Sequence, residues 1–148
     1  MVSVFDVAAF ILSQLGPIPV MKLHKLAYYC QAWSLVWDEE PLFKERIEAW
    51  ANGPVVKKLF EIHKGQFKLA LSDLPGNPDI LNEEQRETVL VVLKDYGGKP
   101  SQWLSDLTHL EAPWREARQG MDTRERGDKE ITWAALAEYY GGLLPVED

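Results

Sequence analysis

Apolar positions along most of the chain recur at helical spacing. Val4, Val7, Ala8, Ile11, Leu12 and Leu15 fall at intervals of three and four residues, which gathers them on one face of an α-helix. Ser3 and Asp6 form a loose capping box, so a first helix is expected from Ser3 to about Leu15. Gly16, Pro17 and Pro19 break it, because proline has no amide hydrogen and forces its predecessor out of helical backbone. A second helix follows over residues 20–38. Its Leu23, Leu26, Ala27, Cys30, Trp33, Ser34 and Trp37 make one stripe, and Tyr29, Ala32 and Val36 make a second beside it. A helix apolar around so much of its circumference sits at the centre of a domain.

After Asp38 to Pro41 the pattern changes to two short β-compatible pieces, Leu42-Phe43 and Ile47 to Trp50, which predict a small ribbon. Asn52-Gly53-Pro54 reads as a turn whose proline opens a third helix, Pro54 to His63, and Phe67 to Leu71 alternates as an edge strand. Asn82 and Gln85 form a second capping box before a fourth helix that ends at Gly97-Gly98. Helices five and six are expected from Pro100-Ser101 and from Pro113 to Gly120. The charged stretch Gln119 to Lys129 reads as a mobile loop, and Thr132 caps a last helix carrying Trp133, Leu136 and Tyr140. The expected fold is therefore mainly α. It is a compact single-domain helical bundle over residues 1–148, built around the central helix at about 20–38, with one small β-ribbon.

Composition narrows the function. The 148 residues carry 16 basic and 23 acidic side chains, net charge -7, whereas nucleic acid attracts basic surfaces. The excess lies wholly in residues 75–148, with 8 basic against 15 acidic; residues 1–74 balance at 8 and 8. Lys22, Lys25, Lys57, Lys58, Lys64 and Lys68 are read as a solvated lysine face in preference to a nucleic-acid surface interleaved with Tyr28 and Tyr29, so no nucleic-acid partner is expected. A single cysteine excludes an internal disulfide, and the longest early apolar stretch, Val7 to Leu12, is far shorter than the ~20 residues of a spanning helix. A cytoplasmic protein without a membrane partner is expected.

Catalytic equipment is sparse. His24, His63 and His109 are too far apart for a recognisable metal motif, and no phosphate-cradling glycine loop is present, so neither a metal nor another cofactor is expected. Cys30 lies on the apolar stripe, where a thiol packs and does not react. Ser105, Asp106 and His109 suggest a triad, but an acid next in sequence to the nucleophile is badly placed to hold the far imidazole nitrogen. Burial accounts for most of the six tryptophans, and one or two exposed rings would mark a partner patch.

Three segments carry a more specific signal. They are Leu23-His24-Lys25-Leu26-Ala27-Tyr28-Tyr29-Cys30-Gln31-Ala32-Trp33, Pro41-Leu42-Phe43, and Ile47 to Val56 with its Asn52-Gly53-Pro54 turn. Leu107-Thr108-His109, Pro113-Trp114 and Ala117-Arg118 follow in order. From helix one to about Arg118 the chain resembles the Panacea domain, also called the SocA-like or phage-associated GepA-like family. His24 departs from the pattern, standing where glutamine or another polar residue is usual. The resemblance implies a mainly helical antitoxin of bacteria and their phages that neutralises a toxin encoded beside it by binding it. Some family members act as adaptors that hand the toxin to an AAA+ protease. Others carry an added DNA-binding domain, for which this chain has no room.

The reading is thus a non-enzymatic binding protein whose partner is a cognate protein toxin, with Trp50, Asn52, Gly53, Pro54, Thr108, His109 and Trp114 either contacting the partner or defining the fold. A protease adaptor is the alternative, with the acidic second half or the Pro145 to Asp148 tail as a second docking surface. Helix one is the candidate surface for a homodimer. An enzyme built around His109 with Ser105 or Glu111 ranks below these.

Overall fold

The computed structural model describes residues 2–143. Its helices are α1 (Val4–Leu15), α2 (Val20–Trp37), α3 (Lys57–His63), α4 (Glu83–Tyr96), α5 (Ser101–Leu110), α6 (Ala112–Ala117) and α7 (Trp133–Gly141). Its strands are β1 (Ile18–Pro19), β2 (Ile47–Trp50), β3 (Gly53–Val56) and β4 (Lys68–Leu69). No helix among the described residues is long and apolar enough to cross a membrane.

The expected capping boxes form. Ser3 N–H donates to Asp6 Oδ2 at 2.9 Å and Asp6 N–H to Ser3 Oγ at 3.3 Å, while Asn82 and Gln85 exchange two such bonds at 2.9 Å each. Each box satisfies amides that the first helical turn leaves unpaired. Thr132 Oγ1 likewise accepts from Ala135 N–H.

As expected, α2 is the hub, packing against α1, α4, α5, α7 and both β1 and β3. Its buried face differs from the predicted one. Trp33 is only half-buried and Trp37 is 40% exposed, whereas His24, Lys25, Tyr28, Tyr29 and Gln31 are at most 1% exposed. The expected solvated lysine face is corrected at Lys25, which lies inside the protein. A polar side chain can occupy such a place only if it finds partners. Gln31 finds three, accepting from the Leu42 and Phe43 amides at 2.7 and 3.2 Å and donating to the Phe43 carbonyl at 2.7 Å. Leu42-Phe43 is therefore not a strand. Its backbone bonds are taken by a glutamine of the hub.

The ribbon is instead β2 with β3, antiparallel with Trp50 opposite Gly53. Pro54 to Val56, expected to begin helix three, belong to β3, because the tight turn at Ala51-Asn52 directs them back along β2. A second antiparallel pairing, β1 with β4, matches the expected edge strand in part, since only Lys68 and Leu69 pair. Helix six is shorter than expected, ending at Ala117.

The stretch Gln119 to Lys129 is held, not free. Ala49 and Ala51 amides donate to Lys129 and Arg126 carbonyls at 2.8 and 2.9 Å. The buried Arg118 guanidinium donates to the carbonyls of Ala49, Asp122, Glu125 and Arg126 at 2.6 to 3.0 Å. In α1, Val4 and Val7 to Leu12 are buried, Phe5, Asp6 and Leu15 are half-buried, and Ser13 and Gln14 are exposed.

Replacing Gln31 with leucine leaves two amides and a carbonyl buried without partners, each costing roughly 1–3 kcal/mol. Gln31→Leu is predicted to destabilise the fold by about 3 kcal/mol, read as a lower urea midpoint at unchanged denaturant slope.

Candidate functional site

The residue that organises the site is Lys25. Seen from the sequence it lies four residues before Tyr29, on the second stripe of α2, and its side chain is carried into the protein with that stripe. The residue is 1% exposed and its Nζ has no hydrogen-bond partner. No carboxylate among the described residues lies within ion-pairing distance of it. Desolvation disfavours the ammonium and brings the Lys25 pKa down to about 7.

The hairpin joining β2 and β3 closes over this side chain. Gly53 has φ +127°, and a Cβ there would lie 2.6 Å from Lys25 Cε and 3.3 Å from Thr108 Oγ1. Only glycine both adopts that backbone and lets the lysine pass beneath it. The hairpin tip is pinned to α5, where Ser105 Oγ donates to the Asn52 carbonyl at 2.6 Å. From the other side Trp114 Nε1 donates to the Trp50 carbonyl at 2.8 Å, and the His109 ring stacks on Trp114 at 3.9 Å.

Between hairpin, α5 and the start of α2 lies a cavity of about 370 Å³. Lys25, Asn52, Ser101, Ser105 and His109 line one side, and Pro19, Met21 and Phe67 the other. Phe67 is placed there by the β1–β4 pairing, which continues as a bond from Val20 N–H to the Phe67 carbonyl at 2.8 Å.

The seven residues singled out in the sequence divide by burial. Trp50, Gly53, Pro54 and Thr108 are buried; Trp50 is held by Glu48, Phe60 and Arg126, which its indole donates to, packs on and underlies respectively. Thr108 donates back to the Ser105 carbonyl at 2.7 Å. Asn52 is exposed, and His109 and Trp114 are half-buried, so these three remain accessible from outside. All but Pro54 share side-chain or backbone contacts with one another or with Lys25, a residue that sequence reasoning placed at the surface. The signal that could have found it is its four-residue offset from Tyr29.

The alternative chemistries are occupied. Ser105 gives its proton to a backbone carbonyl, not to an imidazole. Glu111 Oε1 accepts from Tyr29 at 2.6 Å and from Tyr140 at 2.8 Å; burial raises its pKa, which these two bonds oppose. Burial pushes the Cys30 thiol up, away from reactivity. His24 and His63 meet at 2.6 Å between their Nε2 atoms, and His24 Nδ1 accepts from Val56 N–H at 3.1 Å. That acceptor role leaves the proton on His24 Nε2, which donates to His63, so the pair is neutral. Burial lowers both pKa values, His24 the more strongly. No cluster of three ligating side chains suited to a metal occurs among the described residues.

An unpaired buried ammonium costs stability that a pH titration exposes. Between the folded pKa of about 7 and an unfolded value near 10.4, the unfolded chain binds the additional proton, so stability rises with pH across this window. His24 and His109 are held below their usual range, and Tyr28, Tyr29 and Cys30 are pushed above theirs. The tyrosine and cysteine contributions are common to wild type and variant, and the histidines, whose lowering the Lys25 charge reinforces, titrate below this window. The prediction is that wild type gains up to ~1 kcal/mol per pH unit relative to Lys25→Met between about pH 7 and pH 10, measured by urea unfolding at each pH. A difference independent of pH would contradict the burial of a bare lysine.

No curated protein and no solved structure gives a significant match to the chain. One family model does match, described as antitoxin SocA-like, Panacea domain, over residues 23–115. That span begins two residues before Lys25 and ends one after Trp114, and it contains the hairpin, α5 and the stacked His109. With most of its length matched, and with the matched part forming one connected site, the chain belongs to the antitoxin SocA-like, Panacea domain family.

Proposed function

We propose that this protein is an antitoxin-type binding protein that neutralises a cognate protein toxin by covering it, and that it does so without turning over a substrate. Family membership carries the reading. Two features of the geometry support it. The serine and the carboxylate that an enzyme around His109 would need are committed to a backbone carbonyl and to two tyrosines. The accessible members of the site, Asn52 and His109, border an apolar anchor, Phe67, which is 78% exposed. Aromatic anchors beside a polar rim are the pattern of binding hot spots.

The acidic second half fits a partner with a basic surface, since complementary charge speeds encounter. Delivery to an AAA+ protease needs a second docking surface, and the tail proposed for it, Pro145 to Asp148, lies outside the described residues.

Co-expression with the product of the neighbouring gene tests the reading. That product alone is expected to arrest growth, and this protein to restore it; a harmless product, or one that stays lethal beside this protein, would contradict neutralisation. A toxin half-life shortened by this protein would mark delivery to a protease. Phe67→Asp, at an exposed position, is predicted to leave the melting temperature unchanged and to weaken the complex by at least ~30-fold, the loss of a hot spot worth about 2 kcal/mol.

A further inference from the structure

We propose that the cavity between the β2–β3 hairpin, α5 and Phe67 is a binding site for an oxyanion, a carboxylate or phosphate carried on an apolar body. The site is independent of whether the chain neutralises a toxin.

Three polar side-chain atoms around this cavity are buried without a partner: Lys25 Nζ, Ser101 Oγ and His109 Nε2. Buried polar atoms are paired in the great majority of cases, and three orphans bordering one cavity imply that the partner is something the cavity admits. Their chemistry selects its charge. An ammonium can only donate and a hydroxyl donates readily, whereas the His109 ring presents a donor or an acceptor according to its tautomer. Lys25 and Ser101 therefore call for an acceptor, and a bare ammonium favours an anion.

The start of α5 adds to this preference. Ser101 and Gln102, its first two residues, line the cavity, and the helix has no side-chain cap. The first amide bonded within the helix is that of Leu104, to the Pro100 carbonyl. The preceding amides and the positive end of the helix dipole are free to meet negative charge.

The opposite wall of Pro19, Met21 and Phe67 carries no charge, so the anion needs an apolar portion to cover it. A volume of about 370 Å³ is at the small end of ligand sites and suits one headgroup with one ring or short chain. Burial keeps the Lys25 pKa near 7 while the cavity holds no anion, and an anion beside Nζ would favour the ammonium again. Binding above neutral pH must then take up a proton.

The shared chemistry has two sources, a free small acid or the carboxyl end of a polypeptide. Calorimetry on the full chain separates them with phenyl phosphate and 3-phenylpropanoate as free acids, N-acetylphenylalanine as the chain-end probe, and 3-phenylpropanamide as the neutral control. At least one anionic probe is expected to bind, and the tightest one names the source. Its heat at about pH 8 should vary with the buffer in the sense of proton uptake. Lys25→Met, which removes a buried charge and keeps the packing volume, is expected to weaken that probe at least tenfold, and Ser101→Ala to weaken it severalfold. The proposal is overturned if no anionic probe binds at about 10 mM, where even weak fragments register. It is also overturned if the neutral amide binds as well, or if both variants bind like wild type.

Discussion

A helix surrounded on several sides must satisfy every polar group it carries, and α2 carries many. His24, Lys25, Tyr28, Tyr29 and Gln31 all enter the interior from this one element. All but Lys25 bring another part of the chain to it. His24 takes the β3 end through the Val56 amide and α3 through His63. Tyr29 reaches the Glu111 carboxylate at the start of α6, and Tyr28 meets Tyr140 of α7 at 2.9 Å. Gln31 fixes the backbone after the helix. Apolar burial supplies the driving force, but these polar attachments decide which element lies where. Lys25 is the exception, with no attachment at all.

That exception links the fold to function. A buried lysine without a partner weakens the protein, and such costs persist where a site requires them. Its surroundings fix its position: a glycine at φ +127° in the hairpin above it, a serine clamping the hairpin tip, a tryptophan bonded to the hairpin backbone with a histidine stacked on it. Arg118 supports the same hairpin from behind by gathering four carbonyls, so the charged segment after it lies along β2 as a further layer. The Asn52 backbone and the His109 ring are thereby positioned by contacts within the chain, and preorganisation reduces the entropy lost on binding.

Much of this was legible in the chain. The capping boxes at Ser3 and Asn82, the cap at Thr132 and the hub at 20–38 follow from local chemistry and period, and they form as read. The errors have a common cause in long-range polar bonding. Gln31 withdrew Leu42-Phe43 from strand pairing, Arg118 ordered a loop that composition marked as mobile, and β2 recruited Pro54 to Val56 from an expected helix. None of these partners is near in sequence, so no local pattern reveals them. The site residues were visible as an ordered set of motifs, but their division into buried framework and accessible rim required the fold. The charge of Lys25 points to the surface, whereas its four-residue offset from Tyr29 points inward, and the offset prevails.

Lys25 is held inside the protein with nothing to pair with, and the hairpin, α5 and the cavity are arranged around it. The most direct measurement is an NMR titration of lysine side-chain resonances in the full chain, with the Lys25 signal identified by its absence from Lys25→Met. The account predicts a midpoint near 7 for this one lysine in anion-free buffer. A midpoint near 10.4, the value of a solvated lysine, would contradict it.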